Sequence, residues 1–233
     1  MPFFFPLRIV LSALLLALGW RAEAGVSSFD AVYDVELRGM RIATLSRHFV
    51  LHPDGQYEFD SLLQSEGLAA LVKRVRERET SRGRWISGAP RPDAYHYEKQ
   101  AGAKQRNATL RFDWQVGTVA GQEGTNAWQA PLPPGATDKL SYQLSLMQDL
   151  AHNGRLEYRV ADDGRIKTQS WERVGTPEVR LGRETFATVQ VAYAGRGHRR
   201  TVLWCAPQLD FLPIRIEYQE KNGEVTIATL RRP

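Results

Sequence analysis

Residues 201–230, TVLWCAPQLDFLPIRIEYQEKNGEVTIATL, constrain the fold more than any other stretch. A strand runs to Cys205, a link bounded by Pro207 and Pro213 follows, and two strands meet at Asn222-Gly223. Asn-Gly between alternating runs predicts a two-residue hairpin of type I′, in which both central residues need φ > 0. In that register Lys221 faces Glu224, Tyr218 faces Ile227 and Ile216 faces Thr229. Ile214, Ile216 and Tyr218 then share one face, with Arg215, Glu217 and Gln219 on the other. A one-residue slip would turn the apolar set to water, so an antiparallel sheet with one wet face is specified.

The same period recurs upstream. Phe29–Leu37, Ile42–Leu51, Gln56–Leu63, Lys73–Ile86, Ala94–Glu98 and Gln105–Trp114 read as strands, and Val116–Ala130 as a weaker Gly-rich hairpin. Leu156–Ala161, Ile166–Val174, Thr176–Leu181, Glu184–Tyr193 and His198–Cys205 continue the pattern. About a dozen strands at this spacing predict an all-β sandwich or barrel. No period of fixed length repeats, which argues against a propeller or solenoid.

Two segments break the alternation. Glu66–Val72 suits a short helix or plug-like turn. One long helix is expected from an N-cap at Thr137 or Asp138, with Leu140, Leu144, Met147 and Ala151 in one apolar stripe and Asn153-Gly154 as its stop. Pro131–Asp138 is the only candidate linker, and composition does not shift there. Residues 25–233 therefore read as a single β-rich domain.

Residues 1–24 read as a signal peptide. Arg8 precedes the apolar run Ile9–Leu18, and Ala22-Glu23-Ala24 has the form of a signal-peptidase site, with cleavage after Ala24. The run is too short for a permanent span of about 20 residues. No cysteine stands at the cut to carry a lipid anchor. The expected product is exported, with the bacterial periplasm the compartment that suits it. Cys205 is the only cysteine, so no internal disulfide can form, and its apolar neighbours make it a small core residue. The net charge of +5 is a modest excess that suits anionic partners such as lipid head groups or acidic glycans. Nucleic acid is excluded as a partner by the absence of a base-stacking motif in an exported chain.

No catalytic or metal constellation stands out. The five histidines, His48, His52, His96, His152 and His198, lack paired-ligand spacing, so neither metal nor cofactor is expected. There is no Gly-x-Ser-x-Gly elbow and no phosphate loop, and Asp162 and Asp163 sit in a turn. The reading is therefore non-enzymatic. Aromatic content is what remains. A curved sheet closed against a helix can bury such residues as core or line a cavity for an acyl chain. Leu68, Leu71, Trp85, Trp114, Leu140, Leu144, Met147, Trp171 and Trp204 are the candidate cavity residues. Arg74, Arg76 and Arg78 share a face at strand spacing and are the candidate anionic contact, against the simpler reading of a solvated edge.

Several motifs together resemble the domain-of-unknown-function family 3108, an exported bacterial group. They are Phe29-x-Ala31-x-Tyr33-x-Val35, Asp138-x-Leu140-Ser141, Leu181-Gly182-x-x-x-Phe186-x-Thr188 and Trp204-x-x-Pro207-x-Leu209-x-x-Leu212-Pro213-Ile214-Arg215-Ile216. Cys205 departs from the pattern, where a larger apolar residue is usual. The resemblance implies a mainly β fold: one large curved antiparallel sheet, or half-open barrel, with one long α-helix, similar to periplasmic lipoprotein carriers. It transfers no catalytic residue. The functional expectation is a periplasmic protein that binds a lipid or acyl group between sheet and helix. The alternatives are a scaffold that binds an envelope protein partner and, third, a hydrolase acting on envelope glycan or lipid.

Overall fold

Ala31, Tyr33 and Val35 are buried while their neighbours in sequence are not, and this alternation builds most of the molecule. The computed structural model describes residues 26–72, 74–195 and 197–231; the expected leader and the side chains of Leu68, Ala69 and Val72 lie outside the described residues. In chain order come β1 (Phe29–Leu37), β2 (Met40–Leu51), β3 (Gln56–Ser65), α1 (Gly67–Val72), β4 (Val75–Ile86), β5 (Ala89–Ala101), β6 (Lys104–Asp113), β7 (Thr118–Glu123) and β8 (Asn126–Pro131). A short β9 (Ala136–Thr137), α2 (Tyr142–Ala151), β10 (Glu157–Asp162) and β11 (Arg165–Ser170) form an insert. The chain then returns through β12 (Glu172–Gly175), β13 (Glu178–Leu181), β14 (Glu184–Ala187), β15 (Val189–Ala194), β16 (Arg200–Ala206), β17 (Leu212–Gln219) and β18 (Val225–Leu230).

Thirteen strands make one antiparallel sheet, ordered β12-β15-β16-β17-β18-β1-β2-β3-β4-β5-β6-β7-β8. The first and last strands, β1 and β18, lie side by side within it. The sheet does not close by strand pairing, since β12 and β8 each have one partner in it. It is strongly curved, and one helix shows why. Leu144 and Met147 of α2 join the core of Tyr33, Phe49, Tyr57 and Phe59 on β1–β3. Leu146 and Leu150 pack with Val191 on β15 and with Leu203 and Cys205 on β16. A ten-residue helix can touch both arms only if the sheet wraps around it. Beside α2, β10 pairs with β11 and, in parallel, with β9, and the β10–β11 turn lies against Trp128 of β8.

Several expectations are corrected. The hairpin register is one residue off: Tyr218 faces Thr226 and Ile216 faces Ala228. Of the Asn222-Gly223 pair only Gly223 has positive φ, and Glu220 and Glu224 close a three-residue loop through Glu220 N–H to Glu224 O. That loop is a turn followed by a left-handed glycine, not a type I′ pair. The faces of β17 stand as expected, with Ile214 fully buried, but Ala228 and Leu230, not Ile227 and Thr229, join them inside. Helix α2 is capped at Ser141, three or four residues later than predicted, and is buried on two sides, while Ala151 is exposed.

Two expected strands are each split between sheets. Trp171 interrupts the run 166–174 because its ring turns into the core beside α2, 6.2 Å from Tyr142 and 5.5 Å from Tyr193. Thr188 interrupts 184–193 because its N–H and hydroxyl both donate to Pro177 O. The prolines at 90 and 92 do not end β5, since they lie beyond Ala94, the last residue paired with β6. Opposite Pro92, Gly83 marks a bulge where an added Cβ would meet Arg91 O at 2.2 Å.

Candidate functional site: the hollow of the sheet

The insert plugs one half of the hollow, and a buried carboxylate anchors it. Asp138 has no exposed surface. Its carboxylate accepts the Ser81 hydroxyl of β4 at 2.6 Å and the N–H groups of Leu140 and Ser141 at 2.8 and 2.7 Å. Ser81 also bonds the Tyr57 hydroxyl of β3 at 3.0 Å, and Ser141 Oγ accepts the Asp138 N–H at 3.1 Å. Burial pushes the Asp138 carboxyl up from its ordinary value, with these donors opposing. The network ties the entry to α2 onto the sheet. With Leu140, Leu144 and Met147 at 2% exposure or less, the space beneath the helix is packed with side chains.

Next to the plug runs an inward row of polar residues. Register places Arg47, Ser61, Glu79 and Tyr97 side by side across β2–β5. Glu79 accepts the Tyr95 hydroxyl, and burial raises its carboxyl pKa against the pull of Lys139 and Arg47. Lys139, from the insert, sits 4.5 Å from the Tyr97 ring centroid and 3.6 Å from Asp162. One row further from the plug, Leu45, Leu63, Glu77, Lys99 and Arg106 face inward, with Glu77 and Lys99 paired at 2.6 Å.

The other half of the hollow is open. Tyr193, Thr201 and Tyr218 line one arm of a recess of about 520 Å³, and Ile166, Lys167 and Thr168 of β11 line the other side. Leu45, Leu63 and Ile216 are half-buried on the inward face of β2, β3 and β17. Burial and Glu220 raise the Tyr218 phenol, and Arg199 and Lys99 oppose that shift. The wall is amphiphilic: aliphatic and phenolic surface alternates with paired charges.

The candidate cavity residues do not converge. Trp85 joins Leu140, Leu144 and Met147 around the main core, its ring 6.2 Å from Phe49. Trp171 belongs to the second cluster with Leu146 and Leu150. Trp114 lies past the end of β6, donating its indole N–H to Pro92 O at 2.7 Å. Trp204 takes the outer face of β16 beneath the Arg215 guanidinium, because its neighbours Leu203 and Cys205 turn inward. Leu71 is 82% exposed on α1, and the Leu68 side chain lies outside the described residues.

The arginine row stands outside the hollow. Arg76 and Arg78 face outward opposite Gln64 and Leu62, and Arg78 pairs with Asp60 at 3.1 Å. Arg74 and Arg76 border an outer recess with Gln64, Glu66 and Gln100. The inward charges Arg47, Glu77, Glu79 and Lys99 were passed over in the sequence, although parity puts Glu77 and Glu79 with Val75 and Arg47 with Phe49. Cys205 is fully buried and burial raises its thiol pKa. His48 and His96 pair with Asp30 and Glu98 on the surface, and no cluster of three metal-ligating side chains occurs among the described residues.

A curled, incompletely closed sheet with a helical plug defines a β-barrel-like class of protein. The chain belongs to the family described as "Protein of unknown function (DUF3108)", which matches residues 32–229. Among solved structures it is similar to the "Beta-barrel-like Protein of Domain of Unknown Function DUF1849 from Brucella abortus". That match has a TM-score of 0.60 at 8% identity and covers 88% of this chain and 96% of that one. At such identity the likeness is one of fold. A search of curated proteins found no match.

Proposed function

We propose that this is a non-enzymatic periplasmic protein that holds an amphiphilic envelope molecule, a lipid or acyl compound, in the open half of its hollow. The observation that carries the reading is the lining itself. Tyr193, Thr201 and Tyr218 face Ile166 and Thr168 across the recess, and Lys167 and Arg199 stand at its wall for a polar group. Small-molecule sites combine apolar surface with a few convergent polar groups in this way. The sequence expectation set the ligand between helix and sheet. The packing beneath α2 moves the proposed site to the open end.

Native mass spectrometry of protein purified from its own envelope, followed by titration with a fluorescent fatty acid, tests the binding. A bound mass or saturable uptake is expected; a ligand-free protein that takes up nothing would sink the proposal. Export is tested separately, by recovery of a periplasmic form whose first residue is Gly25. A second reading, strand addition by an envelope protein partner, draws on β12, whose four residues are all exposed along an unpaired edge. Cross-linking in cells from that edge would trap one defined protein if this reading held.

A further inference from the structure

Arg47 stands apart from the other inward charges. It projects from β2 into the hollow, opposite Ala31 on one side and buried Ser61 on the other. Its guanidinium lies 5.8 Å from the Tyr33 ring centroid, and its Nε is enclosed yet donates to no protein atom among the described residues. Among those residues it also forms no ion pair, although Arg41, Arg78, Arg106 and Arg215 each do. Neighbouring groups are committed: Glu77 to Lys99, Glu79 to Tyr95, and Lys139 to Asp162.

A guanidinium carries five N–H donors in a fork that matches a carboxylate or phosphate, and it cannot discharge by losing a proton. Leaving the enclosed Nε–H of a permanent charge without an acceptor is costly, so that donor marks a place where an acceptor arrives from outside. Its position fits the delivery of one. The polar row holding Arg47 adjoins the row of Leu45 and Leu63, so a ligand lying on that aliphatic surface brings its head group to the guanidinium.

We infer that Arg47 is the anion-recognising residue of the hollow, and that the ligand is an amphiphile with a single carboxylate or phosphate head. The inference rests on the reading of the hollow as a ligand site. The test uses displacement of the neutral dye N-phenyl-1-naphthylamine from the full chain by dodecanoate, dodecyl phosphate and dodecanol. Wild type is expected to bind at least one anion about tenfold or more tightly than the alcohol, the scale of a charge-assisted hydrogen bond. The preferred anion then separates a carboxylate from a phosphate source. Arg47→Gln is expected to bring that anion to the level of dodecanol while leaving dodecanol unchanged, and Arg47→Lys to keep part of the preference. Equal wild-type affinity for anion and alcohol would overturn the inference, whatever the fate of the variants. So would a folded Arg47→Gln protein that keeps the preference. Wild type that binds the dye and none of the three amphiphiles would instead overturn the hollow as the site.

Discussion

Asp138 and Glu79 are two carboxyls in one interior with different work. Asp138 serves three donors, and removing it leaves two backbone N–H groups and the Ser81 hydroxyl without their acceptor. Asp138→Ala should therefore cost about 3 kcal/mol, read as a lower urea midpoint at unchanged slope. Glu79 has fewer partners, and burial raises its carboxyl above the ordinary value of 4.5. The sign of the consequence follows from linkage. Between the unfolded value and the raised folded value the native state binds more protons, so this group's stability is present at low pH and is lost as pH rises through the folded value. Wild type should lose stability relative to Glu79→Gln as pH rises above 4.5. Parallel stability curves for the two proteins would contradict this.

At the scale of elements, most strands were readable from alternation, since a residue's side of the sheet follows from parity alone. What parity could not supply was where a strand changes partners. Ile166–Val174 looks continuous, but Trp171 hands the chain from β11 to β12, and Thr188 does the same between β14 and β15. Loop geometry was the other miss. Asn222-Gly223 suits a two-residue turn by composition, yet the observed loop uses left-handed backbone only at Gly223, where φ is 83°. An added Cβ there meets no atom within 4 Å, so Gly223→Ala should pay only for backbone conformation. A loss of about 1–2 kcal/mol, measured by thermal unfolding, is expected.

The whole molecule depends on its first and last strands meeting. β18 sits between β17 and β1, Arg231 bonds Asp34 at 2.8 Å, and the Tyr33 hydroxyl donates to Pro213 O at 2.9 Å. Deleting residues 225–233 would divide the main sheet into β12–β17 and β1–β8 segments. Loss of the single cooperative unfolding transition is expected, followed by circular dichroism. Two separate transitions would instead mean that the halves are stable alone.

Sequence by itself determined the strand alternation, most turns, the burial of Cys205 and the shared face of Arg76 and Arg78, because each depends on near neighbours and on a period of two. It also placed Arg47 on one face with Leu45 and Phe49. Only the tertiary structure decided that this face is enclosed, that α2 fills one half of the hollow, and that Trp204 packs from the outer face of β16. Parity says which residues share a side. Which side closes over depends on how far the sheet curls and where the 136–170 insert packs, and those follow from contacts between residues far apart in the chain.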